Sequence, residues 1–394
     1  MDLDLDSLEF AGALGFDRTE SGISPRRLPD WTRSQIVDPA FALMVAMPAG
    51  VRIRLRTDSP TLDLVLMVTR LAMNGDDAPP AVVELLAAPS PGGASDGSSG
   101  GSSDGELLDE ARIEQGIVIA VDRRTGAVEF LPGDEVSVSL RTGATPGEPR
   151  SLEVWLPHDS GVEVRRVSVA DGSHAGPATP DTRPRWIHYG SSISHCLEAD
   201  RPTGSWPVVT ARMADLNLQH LGFAGQAQLD QFVARTIRDL PADVITLKLG
   251  INLVNADSMR ERTFVPAVHG FLDTIREGHP MTPITVITPI VCPAAETEPG
   301  PTFQDEAGLF VVPTDRPASM AVGALTLERI RELLGLVVLV RQATDPNLRL
   351  VSGLELFGPD DLGGGGLVLP DGLHPDAAGY RVMGERAARL LFDA

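Results

Sequence analysis

Apolar and polar residues alternate with period two through the first half of the chain. Val51, Ile53 and Leu55 alternate with Arg52, Arg54 and Arg56, and Val136, Val138 and Leu140 with Ser137 and Ser139. Leu152, Val154 and Leu156 repeat the pattern, and Val162-Glu163-Val164 opens another such run. Successive side chains of a strand point to opposite faces, so this texture predicts sandwich strands with one buried face and one polar, exposed face. From Trp186 onward the pattern changes. Short apolar runs at 186–189, 216–222, 244–249, 284–290 and 348–356 predict strands. Helix-like spacing fills 206–214, 229–239, 265–277, 325–341 and 375–391. Strand-helix alternation of this kind implies an α/β unit, a parallel sheet covered on both faces, with ligands bound at the carboxyl ends of its strands.

The stretch 171–185, rich in Gly, Pro, Ser and Thr, reads as a linker between the two textures. The expected organisation is therefore an all-β sandwich over 1–180 and a second domain over 184–394. In the tract 89–105, 14 of 17 residues are Gly, Ser or Pro. It cannot bury apolar surface and is expected to be a mobile loop of the first domain.

Composition removes several functions. Lys plus Arg is 33 and Asp plus Glu is 54, a formal net charge of −21 that repels phosphate backbones and argues against nucleic acid as a partner. The only lysine, Lys248, is followed by Leu249, so no Gly-Lys-Ser/Thr phosphate loop exists. No His is followed by Glu, which excludes the His-Glu-x-x-His zinc helix. Cys196 and Cys292 are too few for a disulfide framework and read as buried thiols that follow strands. The longest apolar stretch, 40–47, is far short of the ~18 residues needed to span a bilayer. With an acidic start in place of a signal sequence, the expected location is the cytoplasm, without a membrane partner.

The chemistry-bearing residues stand just after predicted strands. Gly190-Ser191-Ser192-Ile193-Ser194 follows the first, where a glycine turn exposes a serine beside the N–H groups opening a helix. It is not the Gly-x-Ser-x-Gly elbow, since Ser194 stands at the last glycine position. Gly222-Phe223-Ala224-Gly225 follows the second; Gly225 offers a backbone N–H to a substrate oxygen, or simply shapes a turn. Leu249-Gly250-Ile251-Asn252 follows the third, where Asn252 donates its amide to an oxyanion or caps the next turn. Near the end, Asp371-Gly372-Leu373-His374 lets one loop present a carboxylate and an imidazole together, either as an oriented general base or as loop-shaping residues.

The four blocks in this order resemble the SGNH, or GDSL-like, hydrolase superfamily over roughly 185–394. They match its Ser, Gly, Asn and Asp-x-x-His positions at Ser192, Gly225, Asn252, and Asp371 with His374. Ser191 and Leu253 depart from the family pattern at positions that carry none of the four principal roles. The resemblance implies a flavodoxin-like three-layer domain and a serine esterase with Ser192, His374 and Asp371 as catalytic triad. It further implies an oxyanion hole from the N–H groups of Ser192 and Gly225 and the Asn252 amide, with no metal or organic cofactor. A sandwich followed by this domain is similar to two-domain carbohydrate esterases with an N-terminal jelly roll. The expected substrate is a short acyl ester, acetyl in the first instance, of a sugar or glycosylated metabolite. An acyltransferase, a lipase for longer chains and a silent carbohydrate-binding protein are the competing readings. His188 and His195 lack metal-partner spacing. The sandwich half and the proline-rich stretch 291–322 are expected to wall a polar cleft beside Ser192, and Trp206 to line that pocket or fill the core.

Overall fold

The computed structural model of the chain describes residues 1–89, 105–122, 125–313, 315–363 and 366–393. The Gly/Ser-rich tract predicted as a loop lies outside them, apart from its two ends. The chain divides into two compact units: Met1–Arg183 with Asp200–Gly204, and Pro184–Ala199 with Ser205–Ala394.

The first unit is built of two sheets around one core. One sheet runs in the order Glu9–Ala11, Arg52–Thr57, Arg150–Trp155, Ala81–Ala87, Leu107–Ile113. The other runs Gly15–Arg18, Ile23–Arg26, Gly161–Val169, Thr61–Met73, Ile117–Asp122, Ala127–Leu131. Pairing is antiparallel apart from Thr61–Met73 with Ile117–Asp122. Ile53, Leu55, Leu64, Leu66, Val154 and Val164 from both sheets are almost wholly buried in the shared core, as the alternation requires.

The polar face departs from expectation. Arg56 is exposed, but Arg52 and Arg54 are only 1% and 5% exposed. Arg52 Nε lies 3.5 Å and Arg54 Nε 3.4 Å from Glu153 Oε1, and Arg52 also reaches Asp181 at 3.7 Å. The Arg52 guanidinium sits 5.1 Å from the Trp155 ring. Buried charge persists where it is paired, so these alternating arginines form an interior ion network and not a wetted surface. The covering chain comes from the stretch read as linker, in which Ala175–Pro177 pairs with Arg52–Thr57 and Thr179 O accepts from Arg54.

In the second unit, strands Arg185–Gly190, Asn217–Gly222, Val244–Lys248, Ile284–Ile287 and Leu348–Val351 pair in parallel. Numbered along the chain, their order in the sheet is 2-1-3-4-5. The last two predicted strands are shorter than expected: residues after Val351 turn into the helix Gly353–Leu356, capped by the Ser352 hydroxyl. Trp186 packs on Trp206 and Phe392, whereas Tyr189, pointing the other way, stacks on Phe271. Helices Trp206–Met213 and Ala377–Phe392 thus cover one face and Glu261–Gly278 the other, giving an α/β fold. The strand order reverses direction at Arg185–Gly190, and a crevice opens between the carboxyl ends of strands diverging from such a point. Among the described residues, no helix is long and apolar enough to cross a membrane.

Candidate active site

Arg185–Gly190 delivers the chain directly into the helical turn Ser192–His195. The turn lies tight against the neighbouring strand: a Cβ at Gly222 would come within 2.7 Å of the Ser194 and His195 backbone. Glycine at that position is therefore a packing requirement. Three serines share this segment, and their surroundings separate them. Ser194 Oγ is fully buried and bonded to His188 Nε2 at 2.8 Å, while His188 Nδ1 meets Thr246 Oγ1 at 2.7 Å. Burial pushes the His188 imidazole down to about 3, and the Lys248 charge acts in the same direction, so it is neutral throughout the physiological range. Ser191 Oγ is buried without a hydrogen-bond partner among the described residues. Ser192, at 7% exposure, has its Oγ 2.8 Å from His374 Nε2.

His374 arrives from the far end of the chain. Asp371 Oδ2 lies 2.6 Å from its Nδ1, and Asp371 Oδ1 accepts from the backbone N–H of Leu373 and of His374 at 2.9 and 2.8 Å. Burial acts to raise the Asp371 carboxyl. The His374 hydrogen bond, the imidazole charge and the two backbone donors outweigh it and hold the group below the usual carboxylate range. The ring is also backed by Phe310, edge-on with centroids 5.8 Å apart, and Phe310 N donates to Asp371 O at 2.8 Å. Phe310 belongs to the small hairpin of Phe303–Gln304 and Phe310–Val311, within the proline-rich stretch. The surface of that stretch is mixed: Phe303, Leu309, Met320 and Val322 are exposed, and so are Glu298, Asp305, Glu306 and Asp315.

Gly225, with φ +76°, occupies a turn that ordinary side chains avoid. Phe223 N donates to Gly190 O at 2.9 Å and Ala224 N to His195 Nδ1 at 3.3 Å, which ties this loop to the serine turn. Ala227 N in turn donates to Asn252 Oδ1 at 2.9 Å. With its oxygen engaged there, the Asn252 amide presents its N–H groups elsewhere, and the side chain is 3% exposed. The five predicted residues thus belong to one connected set: Ser192, His374 and Asp371 in direct line, and Gly225 and Asn252 linked through the loop between them.

Two groups beside the imidazole were not anticipated. Glu198 Oε1 lies 3.5 Å from His374 Nδ1, and its Oε2 accepts from Tyr380 OH at 2.8 Å. Glu198, Asp371 and His374 hold their ligand atoms within 4.8 Å of one another, the one group among the described residues with metal-ligand spacing. Trp206 does not line a pocket; it is buried and donates through Nε1 to Ile193 O at 2.7 Å, fixing the serine turn from beneath. Cys196 and Cys292 are free, buried thiols, and burial raises both, Cys292 to about 11.

In the second unit a parallel sheet of order 2-1-3-4-5 thus carries a serine turn after its first strand, with an imidazole and a carboxylate in line behind the serine. A model of the GDSL-like Lipase/Acylhydrolase family matches residues 184–299, the part that contains Ser192, Gly225 and Asn252. No curated protein matches the chain in sequence. Among solved structures it is similar to the salicylyl-acyltransferase SsfX3 from a tetracycline biosynthetic pathway, at 27% identity and a TM-score of 0.75, over 97% of this chain and 93% of that one. It also shares its fold with a GDSL-like lipase from Bacteroides ovatus, at 18% identity and a TM-score of 0.65, over 98% and 95% of the two chains. A family two carbohydrate esterase from Clostridium thermocellum, solved with cellohexaose, aligns at 13% identity and a TM-score of 0.57, over 98% of both chains.

Proposed function

We propose that the protein cleaves a short acyl ester through an acyl-enzyme on Ser192. The observation that carries this reading is the unbroken line from Asp371 through His374 to Ser192, at 2.6 and 2.8 Å. His374 takes the Ser192 proton as Oγ attacks the ester carbonyl; the proton then passes to the departing alcohol, leaving acyl-Ser192. Water, activated by the same imidazole, releases the acid and restores the serine. The N–H groups of Ser192 and Gly225 and the Asn252 amide hold the oxyanion formed at each attack. The first unit, two sheets over one core, acts in this reading as a jelly-roll-like accessory domain, and the substrate is an acetylated sugar or glycosylated metabolite.

A fluorophosphonate probe tests the nucleophile: it is expected to label Ser192 alone, and Ser192→Ala to abolish p-nitrophenyl acetate turnover while Ser191→Ala keeps most of it. Labelling of Ser191 or Ser194, or a loss of activity on chelation with EDTA, overturns the assignment. Profiling p-nitrophenyl esters by chain length tests the substrate class, with kcat/KM expected to fall steeply from acetyl to octanoyl.

Transfer to an alcohol in place of water is the second reading. Its support is the likeness to a salicylyl-acyltransferase over nearly the whole chain, together with the Phe310 ring beside His374. Adding alcohol acceptors to the p-nitrophenyl acetate assay separates the two. Hydrolysis predicts free acid as the product throughout; accumulation of the new ester at the expense of acid establishes transfer.

A further inference from the structure

Two carboxylates face the same nitrogen of His374, and acyl transfer as described uses only one. Besides Asp371 at 2.6 Å, Glu198 places Oε1 3.5 Å from Nδ1. Its position is built into the fold. The turn after Ser192–His195 passes through Cys196 in the left-handed region, φ 61°, and closes with Ala199 N donating to Cys196 O at 3.0 Å, which carries Glu198 back toward the imidazole. The other carboxylate oxygen is held by the hydroxyl of Tyr380, a fully buried residue of the last helix. Burial and the neighbouring Glu198 charge raise the Tyr380 phenol well above its ordinary range, so it stays a donor. The charged or titratable groups around the imidazole include Asp371, Glu198 and the Ser192 hydroxyl, with Tyr380 behind Glu198. Cys196 and Cys292 lie farther back as neutral thiols. Phe310 closes the remaining side with a ring edge.

Resting on the acyl-serine reading, we propose that Glu198 is a positioning residue for His374. It is a second carboxylate, clamped by Tyr380, that shares with Asp371 the positive charge the imidazole takes up in each half of the reaction and maintains part of the rate when Asp371 is neutralised. An opposite charge this close favours the protonated ring, and catalysis by the free base needs that proton lost. Removing Glu198 therefore moves the acid limb of the kcat/KM profile to lower pH.

The test is a cycle of Glu198→Gln, Asp371→Asn and the double variant, assayed on p-nitrophenyl acetate across pH 4–9, with Tyr380→Phe as a milder release of the clamp. Glu198→Gln is expected to lower kcat roughly threefold to tenfold with KM unchanged, and to shift the acid limb down by about half a pH unit. In the Asp371→Asn background the same change is expected to cost roughly a hundredfold. Tyr380→Phe is expected to reproduce the shift in part. An unmoved acid limb, or an equal effect of Glu198→Gln in both backgrounds, overturns the proposal. Fluorophosphonate labelling of the same variants keeps the two readings apart. Ser192 labelled with the limb unmoved defeats the role of Glu198 alone, whereas no labelling of Ser192 in the unmodified protein defeats the acyl-serine reading itself.

Discussion

Asn252 is anchored by its oxygen. Ala227 N–H can only donate, so Oδ1 faces it at 2.9 Å and the amide N–H groups are left to serve another acceptor. If that acceptor is charge formed in the transition state, Asn252→Ala lowers kcat by ~10²–10³ with little change in KM. Steady-state kinetics on p-nitrophenyl acetate decide this, and a loss confined to KM makes Asn252 a substrate-binding residue instead. Asn252, Gly225, Ser192, Asp371 and His374 stand out in the sequence as candidates because each follows a strand or precedes the last helix, where a parallel sheet of this kind exposes side chains. Glu198 was not. A single acid in a turn carries no pattern of its own, and its meaning comes from Tyr380, 182 positions away. The choice among Ser191, Ser192 and Ser194 was likewise half legible. The register favoured Ser192, but the reason Ser194 is unavailable is His188, whose bond to it appears only once the turn folds over the strand.

At the scale of elements, the proline-rich stretch was recognisable as irregular, but which of its residues meets the imidazole was not. Its hairpin sets Phe310 against the imidazole edge and leaves Phe303 and Leu309 exposed. An aromatic pair of this geometry is worth about 0.5–1.5 kcal/mol, so Phe310→Ala is expected to reduce kcat roughly twofold to tenfold through a looser His374. The backbone bond from Phe310 N to Asp371 O survives that change, and an unchanged kcat excludes a positioning role for the ring. The strand Val244–Lys248 supplies a second test. It ends in the chain's only lysine, which is 2% exposed, and burial, with the Arg331 charge acting the same way, brings its ammonium down to about 7. The unfolded chain holds that proton up to about 10.5, so between pH 7 and 10.5 the unfolded state binds more protons and stability rises with pH. Lys248→Met is expected to raise Tm at pH 7 by a few degrees and to flatten the rise toward pH 10. Thermal melts across that range check it, and a parallel displacement of the whole curve rules out titration of Lys248 as the cause. A short apolar run predicted this strand and period-two alternation predicted Arg52–Thr57; neither could foresee that Lys248, Arg52 and Arg54 are buried, because burial of a polar residue depends on what packs over it.

Across the whole molecule, the first unit is discontinuous in sequence. It includes Asp200–Gly204, and the composition change near residue 180 gives no sign of that. Electrostatics within the unit explain why the segment belongs there. On adjacent strands Glu84 stands directly opposite Glu110, an arrangement that destabilises a sheet unless a cation intervenes. Arg201 supplies it, 3.3 Å from Glu110 and 3.8 Å from Glu84. Thr203 completes the attachment, donating its N–H at 2.9 Å and its hydroxyl at 3.0 Å to the buried Glu84 carboxylate. Glu84→Ala leaves both Thr203 donors without that acceptor, at a cost of about 1–3 kcal/mol, and leaves Arg201 with Glu110 and Asp200. The loss is local, since Val83 and Leu85 on either side of Glu84 carry the strand's core face and Glu84 points away from it. Amide hydrogen exchange in the full-length protein is therefore expected to accelerate over 200–204 well before it does in Arg52–Thr57 or Gly161–Val169, with a lower Tm for the variant. Uniform acceleration across the unit points to a damaged core, and unchanged exchange at 200–204 means that Glu84 does not hold the segment.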